Sequence, residues 1–295
     1  MTTGSSIPEF PFESHYATIN GVKSPYVDEG EGPPVLMFHG QPTWSYLYRK
    51  MIPPLVEAGF RCVAADLMGF GMSDKPNAEF AYTLRRHVEL MAGFVENLKL
   101  EGVTIPGQDW GGPIGLRYPI DQQDNVKALV ILNTLVDMKK MPMFFKVMFL
   151  SGGFSSFLSR RLDAFRKVAF SAGFKRPMPK DVMAMYKMPH PNASVRGGIA
   201  AFPKMIPTNE RHENASHISE ISQTLKRWNI PVLVCFSDKD IAFKPDEGRA
   251  IAKMVPNGRF HLIEGAGHYL QEDAGEEIVE HMIPFLRDEA KLIAA

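Results

Sequence analysis

Cysteine is scarce in this chain: Cys62 and Cys235 are the two among 295 residues, and each stands in an apolar, strand-like run. A pair so placed argues against a disulfide framework and for buried free thiols in a reducing, cytoplasmic setting. An excess of charge of either sign is also lacking, because 33 basic residues offset 33 acidic ones and no basic run exceeds a pair such as Arg85-Arg86 or Lys139-Lys140. Nucleic acid and anionic membrane surfaces are therefore not expected as partners. The most apolar stretch, Met141 to Leu150, is interrupted by Lys146 and falls well short of the ~20 residues of a membrane-spanning helix. Nor does the start, Met1-Thr-Thr-Gly-Ser-Ser-Ile-Pro, carry the basic and apolar regions of a secretory signal.

What the chain does contain is an alternation of short apolar runs with helix-length segments. His15 to Ile19 and Val22 to Val27 flank Asn20-Gly21, two residues whose tolerance of positive φ suits a type I′ hairpin turn. Buried-strand runs follow at Val35 to Phe38, Arg61 to Ala65, Val103 to Ile105 and Val126 to Leu132, with helices expected around Tyr46 to Glu57, Leu84 to Leu98 and Gly112 to Gln122. Such alternation predicts an α/β fold with a mostly parallel central sheet and helices on both faces. It stops near Asn133 and resumes at Pro231 to Phe236, followed by the helical Asp246 to Met254, the strand-like Arg259 to Ile263 and a last helix from about Ala274. The interval is rich in Phe, Met and Lys, shows no strand pattern and reads as an inserted helical cap. The expected division is a core of residues 1–133 and 215–295 with a cap of residues 134–214.

The run from Val103 to Gly115, Val-Thr-Ile-Pro-Gly-Gln-Asp-Trp-Gly-Gly-Pro-Ile-Gly, reads as a strand, a sharp turn and a helix start. It follows the Gly-x-Ser-x-Gly pattern of a nucleophile elbow, with Asp109 where the serine would stand. That exchange changes the chemistry, because a carboxylate with a reference pKa of about 4 is already anionic at neutral pH and attacks carbon directly. Asp240 and His268 follow later strand-like runs, which gives the order nucleophile, acid, base. Strand carboxyl ends are where open α/β sheets gather their sites. Asp238, in the same loop, and Asp137, after the preceding strand, compete with the favoured Asp240 as the acid. An N-cap role for Asp109 and a surface-loop role for His268 are the bland alternatives, and the complete elbow disfavours both. His39-Gly-Gln-Pro-Thr-Trp-Ser-Tyr-Leu-Tyr-Arg49 follows the strand ending at Phe38. The loop there supplies one backbone N–H of an oxyanion hole, at Gln41, and the residue after the nucleophile, Trp110, supplies the other. Asp66 to Pro76 is read as a structural glycine turn.

Together with Ala201-Phe-Pro-Lys-Met205 and Gly267-His-Tyr-Leu-Gln-Glu272, these motifs resemble the haloalkane dehalogenases, in the subgroup whose catalytic acid is an Asp after the late strand. The resemblance runs from about Tyr16 onward and implies an α/β-hydrolase fold. It also implies hydrolysis of carbon–halogen bonds to alcohol, halide and a proton: Asp109 forms an alkyl ester, and His268, held by Asp240, activates the water that cleaves it. The implied partners are a halogenated alkane, water and halide ion, with no cofactor and no metal. Halide leaving into an apolar pocket needs donors aimed at it, and the indole N–H of Trp110 is one. Family members add a second, either an Asn at the position of Gln41 or a cap tryptophan. Here the tryptophans are Trp44, Trp110 and Trp228, so the cap holds none, and the Gln41 amide is the expected second donor, a backbone-only role being the alternative. Trp44 is expected to pack rather than bind.

Asn133 stands where another subgroup carries a catalytic Glu, and it either hydrogen-bonds in the site or ends its strand. Phe144, Phe145, Met148, Phe149 and Phe165 line an apolar tunnel or simply pack the cap. Epoxide hydrolases share the Asp nucleophile and the His–Asp pair but set two cap tyrosines on the epoxide oxygen, whereas this cap has Tyr186 alone. A ligand-binding protein on a silent hydrolase scaffold is disfavoured by the intact Asp109, Asp240 and His268. Monomer and homo-oligomer are equally open.

Overall fold

The computed structural model describes residues 7–137 and 152–294. Eight strands form one sheet: β1 (His15–Ile19), β2 (Val22–Glu29), β3 (Pro34–Phe38), β4 (Arg61–Ala65), β5 (Val103–Asp109), β6 (Val126–Thr134), β7 (Val232–Ser237) and β8 (Gly258–Ile263). Their order is β1-β2-β4-β3-β5-β6-β7-β8, with β2 antiparallel to β1 and β4 and all other neighbours parallel. The opening hairpin turns at Asn20 and Gly21, whose φ values of 48° and 77° match the expected turn.

Side-chain alternation distributes each central strand between two cores. Along β3, Leu36 and Phe38 face one cluster with Val63, Phe94, Ile105 and Ile114, while Val35 and Met37 face another with Cys62, Ile52, Leu55 and Met282. Burial on both faces explains why β6 and β7 are nearly continuous apolar runs rather than alternating ones. The first core is closed by α2 (Leu84–Asn97) and α3 (Gly111–Gly115), and by α9 (Ala215–Leu225) and α10 (Pro245–Met254). The second is closed by α1 (Ile52–Glu57) and α11 (Leu270–Ala294).

Three expected helices differ in detail, each for a local reason. Tyr46 to Glu57 is a 3-10 turn (Ser45–Tyr48) followed by α1, because Pro53 and Pro54 lack an N–H and are tolerated only in a first helical turn. Gly112 to Gln122 divides likewise into α3 and the short α4 (Tyr118–Asp121), which carries Pro119 in its first turn. The last helix begins at Leu270, four residues early, but Ala274 breaks it with φ −147° and ψ 36°.

Between β6 and β7 the described residues hold, ahead of α9, the helices α5 (Gly152–Arg161), α6 (Ala164–Gly173), α7 (Lys180–Lys187) and α8 (Gly197–Ala201), and no strand. Phe144, Phe145, Met148 and Phe149 lie outside the described residues, while Phe165 is partly buried against the first core. A buried ionic cluster ties α7 to the core. Arg49, just past the 3-10 turn, pairs through both terminal nitrogens with Glu272 of α11, and Tyr186 of α7 donates to the same carboxylate at 2.5 Å. Burial works to raise the Glu272 carboxyl, but the Arg49 guanidinium holds it below the usual range. Cys62 and Cys235 are buried free thiols, pushed up to about 12 by burial. Among the described residues no helix is long and apolar enough to cross a membrane.

Candidate active site

Asp109 closes β5, the strand at the middle of the sheet, and its φ of 50° makes it one of the few non-glycine residues in the left-handed region. Strain of this kind persists where neighbours over-determine the turn. Here they do. A Cβ on Gly111 would stand 2.0 Å from the Phe38 carbonyl oxygen, so the turn can approach β3 only with glycine there. The Thr134 hydroxyl, at the end of β6, donates to the Asp109 carbonyl at 2.5 Å.

The two oxygens of the Asp109 carboxylate are held differently. The backbone N–H of Gln41 donates to Asp109 Oδ1 at 2.8 Å, leaving Oδ2 at 3.5 Å from His268 Nε2. The Gln41 loop is itself fixed, since the Gly40 carbonyl accepts from the Thr43 N–H at 3.1 Å and the Thr43 hydroxyl at 2.9 Å. His268 Nδ1 meets Asp240 Oδ2 at 2.9 Å, and Asp240 Oδ1 accepts from the Ala242 N–H at 2.6 Å. Asp240 is therefore the carboxylate on the ring, whereas Asp238 caps the turn of Gly265 at 2.7 Å and pairs with Lys239. Burial disfavours the charged imidazole, yet Asp240 and Asp109 together outweigh it and raise His268 to about 10. The ring also lies parallel to Phe243, with centroids 5.8 Å apart.

Other expected residues fall as follows. Trp110 is buried beside Asp109, edge-on to Phe202 at 5.6 Å, and its indole N–H has no acceptor among the described residues. The Gln41 side chain is committed in part: its Nε2 donates to the Ile199 carbonyl of α8 at 2.7 Å, which occupies one of two N–H groups. Trp44 packs, stacked on Tyr46 at 5.2 Å. Asp66 is a structural acceptor for the Ser45 and Met72 N–H groups. Asn133 does more than end β6. Its amide donates to Ser237 Oγ at 2.7 Å and the Gly267 carbonyl at 3.1 Å, and it accepts from the Ser237 N–H, which fastens the His268 loop to two strand ends. Tyr186 points its hydroxyl at Glu272.

Three contributors carry little signal in the sequence. Gln108 donates to the His268 carbonyl at 3.1 Å and sits 3.3 Å from its Nε2, and its place inside the elbow was the one available clue. Phe243 and the Ile199 carbonyl reach the site only through folding of distant segments. No group of three or more His, Cys, Asp or Glu able to hold a metal ion occurs among the described residues.

An elbow, a held carboxylate and a late Asp–His pair on this sheet define a class, and a family model described as the alpha/beta hydrolase fold matches residues 33–275. The chain is thus an α/β hydrolase. A haloalkane dehalogenase of Mycobacterium marinum is 38% identical over 288 residues, covering 93% of this chain and 94% of that protein. The tetrameric structure of a haloalkane dehalogenase from Paraglaciecola agarilytica superposes with a TM-score of 0.83 at 31% identity, covering 93% of each chain. A cis-3-alkyl-4-alkyloxetan-2-one decarboxylase of Shewanella oneidensis is 32% identical over 286 residues, covering 94% of this chain and 89% of that protein. Within the α/β hydrolases, this chain belongs to the haloalkane dehalogenase family.

Proposed function

We propose that the chain cleaves carbon–halogen bonds of haloalkanes through a covalent ester on Asp109. The observation that carries this reading is the asymmetric holding of the carboxylate: Oδ1 accepts from the Gln41 N–H at 2.8 Å, whereas Oδ2 faces only His268 Nε2, at the longer distance of 3.5 Å, among the described residues. Oδ2 displaces halide in line from an sp³ carbon, and the halide leaves toward the Trp110 indole N–H, with the second amide N–H of Gln41 as the further donor. His268 then takes a proton from water, the hydroxide attacks the ester carbonyl, and the oxyanion is held by the backbone N–H groups of Gln41 and Trp110. Collapse releases the alcohol and restores Asp109. Asp240 orients the ring and stabilises its charged form.

Esterification also prepares the base. It removes one of the two carboxylate charges that raise His268, so the ring becomes a weaker base and yields its proton more readily to solvent before the second step. Residues 134–214 act in this reading as a cap that closes the apolar pocket, and the two buried free thiols favour a cytoplasmic setting. An epoxide hydrolase is less well supported, because the Tyr186 hydroxyl is engaged by Glu272.

A second reading follows from the Shewanella oneidensis relative. Opening an oxetan-2-one also displaces an oxyanion from sp³ carbon, and Gln41 has one amide N–H already spent on Ile199. One experiment addresses both. His268→Phe incubated with 1,2-dibromoethane should release about one halide per enzyme and leave an alkyl adduct on the Asp109 peptide by mass spectrometry. An unmodified peptide across a panel of haloalkanes, with turnover of a dialkyl oxetan-2-one by the unaltered protein, would replace the first reading with the second.

A further inference from the structure

Asp273 lies in the first turn of α11, five residues beyond His268 and 6% exposed. Its partners among the described residues are main-chain N–H groups. Oδ2 accepts from Gly267 at 2.8 Å and Lys175 at 3.0 Å, and Oδ1 from Arg176 at 3.1 Å. Burial raises its carboxyl, and these three N–H groups oppose the rise. Gly267 is the residue immediately before the base. Its carbonyl is held from the opposite side by Ser237 Oγ at 2.7 Å and Asn133 Nδ2 at 3.1 Å. A Cβ on Gly267 would stand 2.1 Å from the Gly173 carbonyl oxygen, so the main chain of the His268 loop and that of the end of α6 are in direct contact. Asp273 thus joins three stretches: the start of α11, the loop carrying the base, and the segment that follows α6.

We propose that Asp273 is a positioning residue for the base, fixing the main chain before His268 against residues 173–176 so that the helices between β6 and β7 set where the imidazole stands. The proposal rests on the two-step reading above. Alkylation draws on Asp109, Trp110 and Gln41, none of which lies on this loop, whereas ester hydrolysis depends on the distance from His268 Nε2 to the ester carbonyl. Loss of the Asp273 contacts therefore slows the second step and spares the first. A side chain that served stability alone would not divide the two.

Rapid-quench halide release and intact-protein mass spectrometry on Asp273→Asn with 1,2-dibromoethane read the division. The expected result is a burst of about one halide per enzyme at the unaltered rate, then turnover slowed about 10- to 100-fold with alkyl-enzyme accumulating, as misplacement of a reacting group on the order of 1 Å produces. Burst and turnover falling together, or neither changing, overturns the proposal. Asp273→Glu keeps a carboxylate on one more methylene and is read in the same way should the Asn variant not fold; it is expected to show the same division with a smaller slowing. His268→Phe run in parallel separates the two levels of inference. No adduct there removes the two-step reading, whereas an adduct there without slowing in the Asp273 variants removes only the role of Asp273.

Discussion

His268 faces two carboxylates, and the proposed chemistry removes one of them. In the free protein Asp240 and Asp109 raise the imidazole to about 10 against burial, so it is protonated at neutral pH and alkylation proceeds beside a cation. Once Asp109 is an ester, Asp240 alone supports the charge, and the neutral form that hydrolysis needs appears at lower pH. Alkylation measured in single turnover should be flat between about pH 6 and 9, while hydrolysis should rise with pH and level off below the pH at which His268 titrates in the free protein. Ring titration by NMR against the kinetic profile checks this, and a kinetic midpoint at or above the free-protein value would refute it. Residue identities at this scale were legible because elbow and triad patterns are local. The direction of the Gln41 amide was not, since its acceptor, the Ile199 carbonyl, is a main-chain group 158 residues away.

At the scale of the element, the strand–turn–helix of β5 and α3 is the critical piece. The turn tolerates Asp109 at positive φ because Gly111 lets it lie against β3, and the clash that a methyl would make there is with backbone, which cannot rotate aside. Gly111→Ala should therefore cost at least about 2 kcal/mol, read as a fall in urea midpoint, together with loss of halide release. The strand run from Arg61 to Ala65 could be read from sequence to the residue, because a five-residue apolar run bounded by turn signals is too short for a helix and fits a buried strand. Helix ends were less legible. Breaks after Tyr48 and Gly115 come from prolines and glycines that an apolar pattern spans without interruption.

The whole molecule responds to acid through histidines that the site does not use. His87 and His190 are buried, and burial lowers each to about 3. Between that value and about 6.5 the unfolded chain binds protons that the folded chain does not, so stability falls as pH drops through this window. Among the described residues His87 has no hydrogen-bond partner on either ring nitrogen, and it packs edge-on to Phe202 at 4.8 Å. His87→Phe should move acid unfolding to lower pH, as urea midpoints measured between pH 4 and 7 would reveal, and an unchanged pH slope would count against the assignment. The buried Arg49–Glu272 pair works at the same scale, since Tyr186 joins it to the helices between β6 and β7. Glu272→Ala leaves the buried guanidinium with the half-exposed Glu9 as its carboxylate partner among the described residues, and should cost about 3 kcal/mol or somewhat less in the same measurement.

By itself the sequence determined the alternation that makes a parallel sheet, the elbow pattern at Asp109 with Asp240 and His268 following in chain order, and hence the family. Those features are written in contiguous runs of a few residues whose periodicity or spacing admits one structure. The tertiary structure alone decided which carboxylate oxygen of Asp109 accepts from the Gln41 N–H, that Asp240 rather than Asp238 reaches the imidazole, that Asn133 and Asp273 grip the peptide before His268, and that the Gln41 amide turns to Ile199. Each of these depends on hydrogen bonds of about 3 Å between segments far apart in the chain. A propensity or a motif carries no record of such distances, because they are set by how the sheet, the helices and the intervening segment pack together.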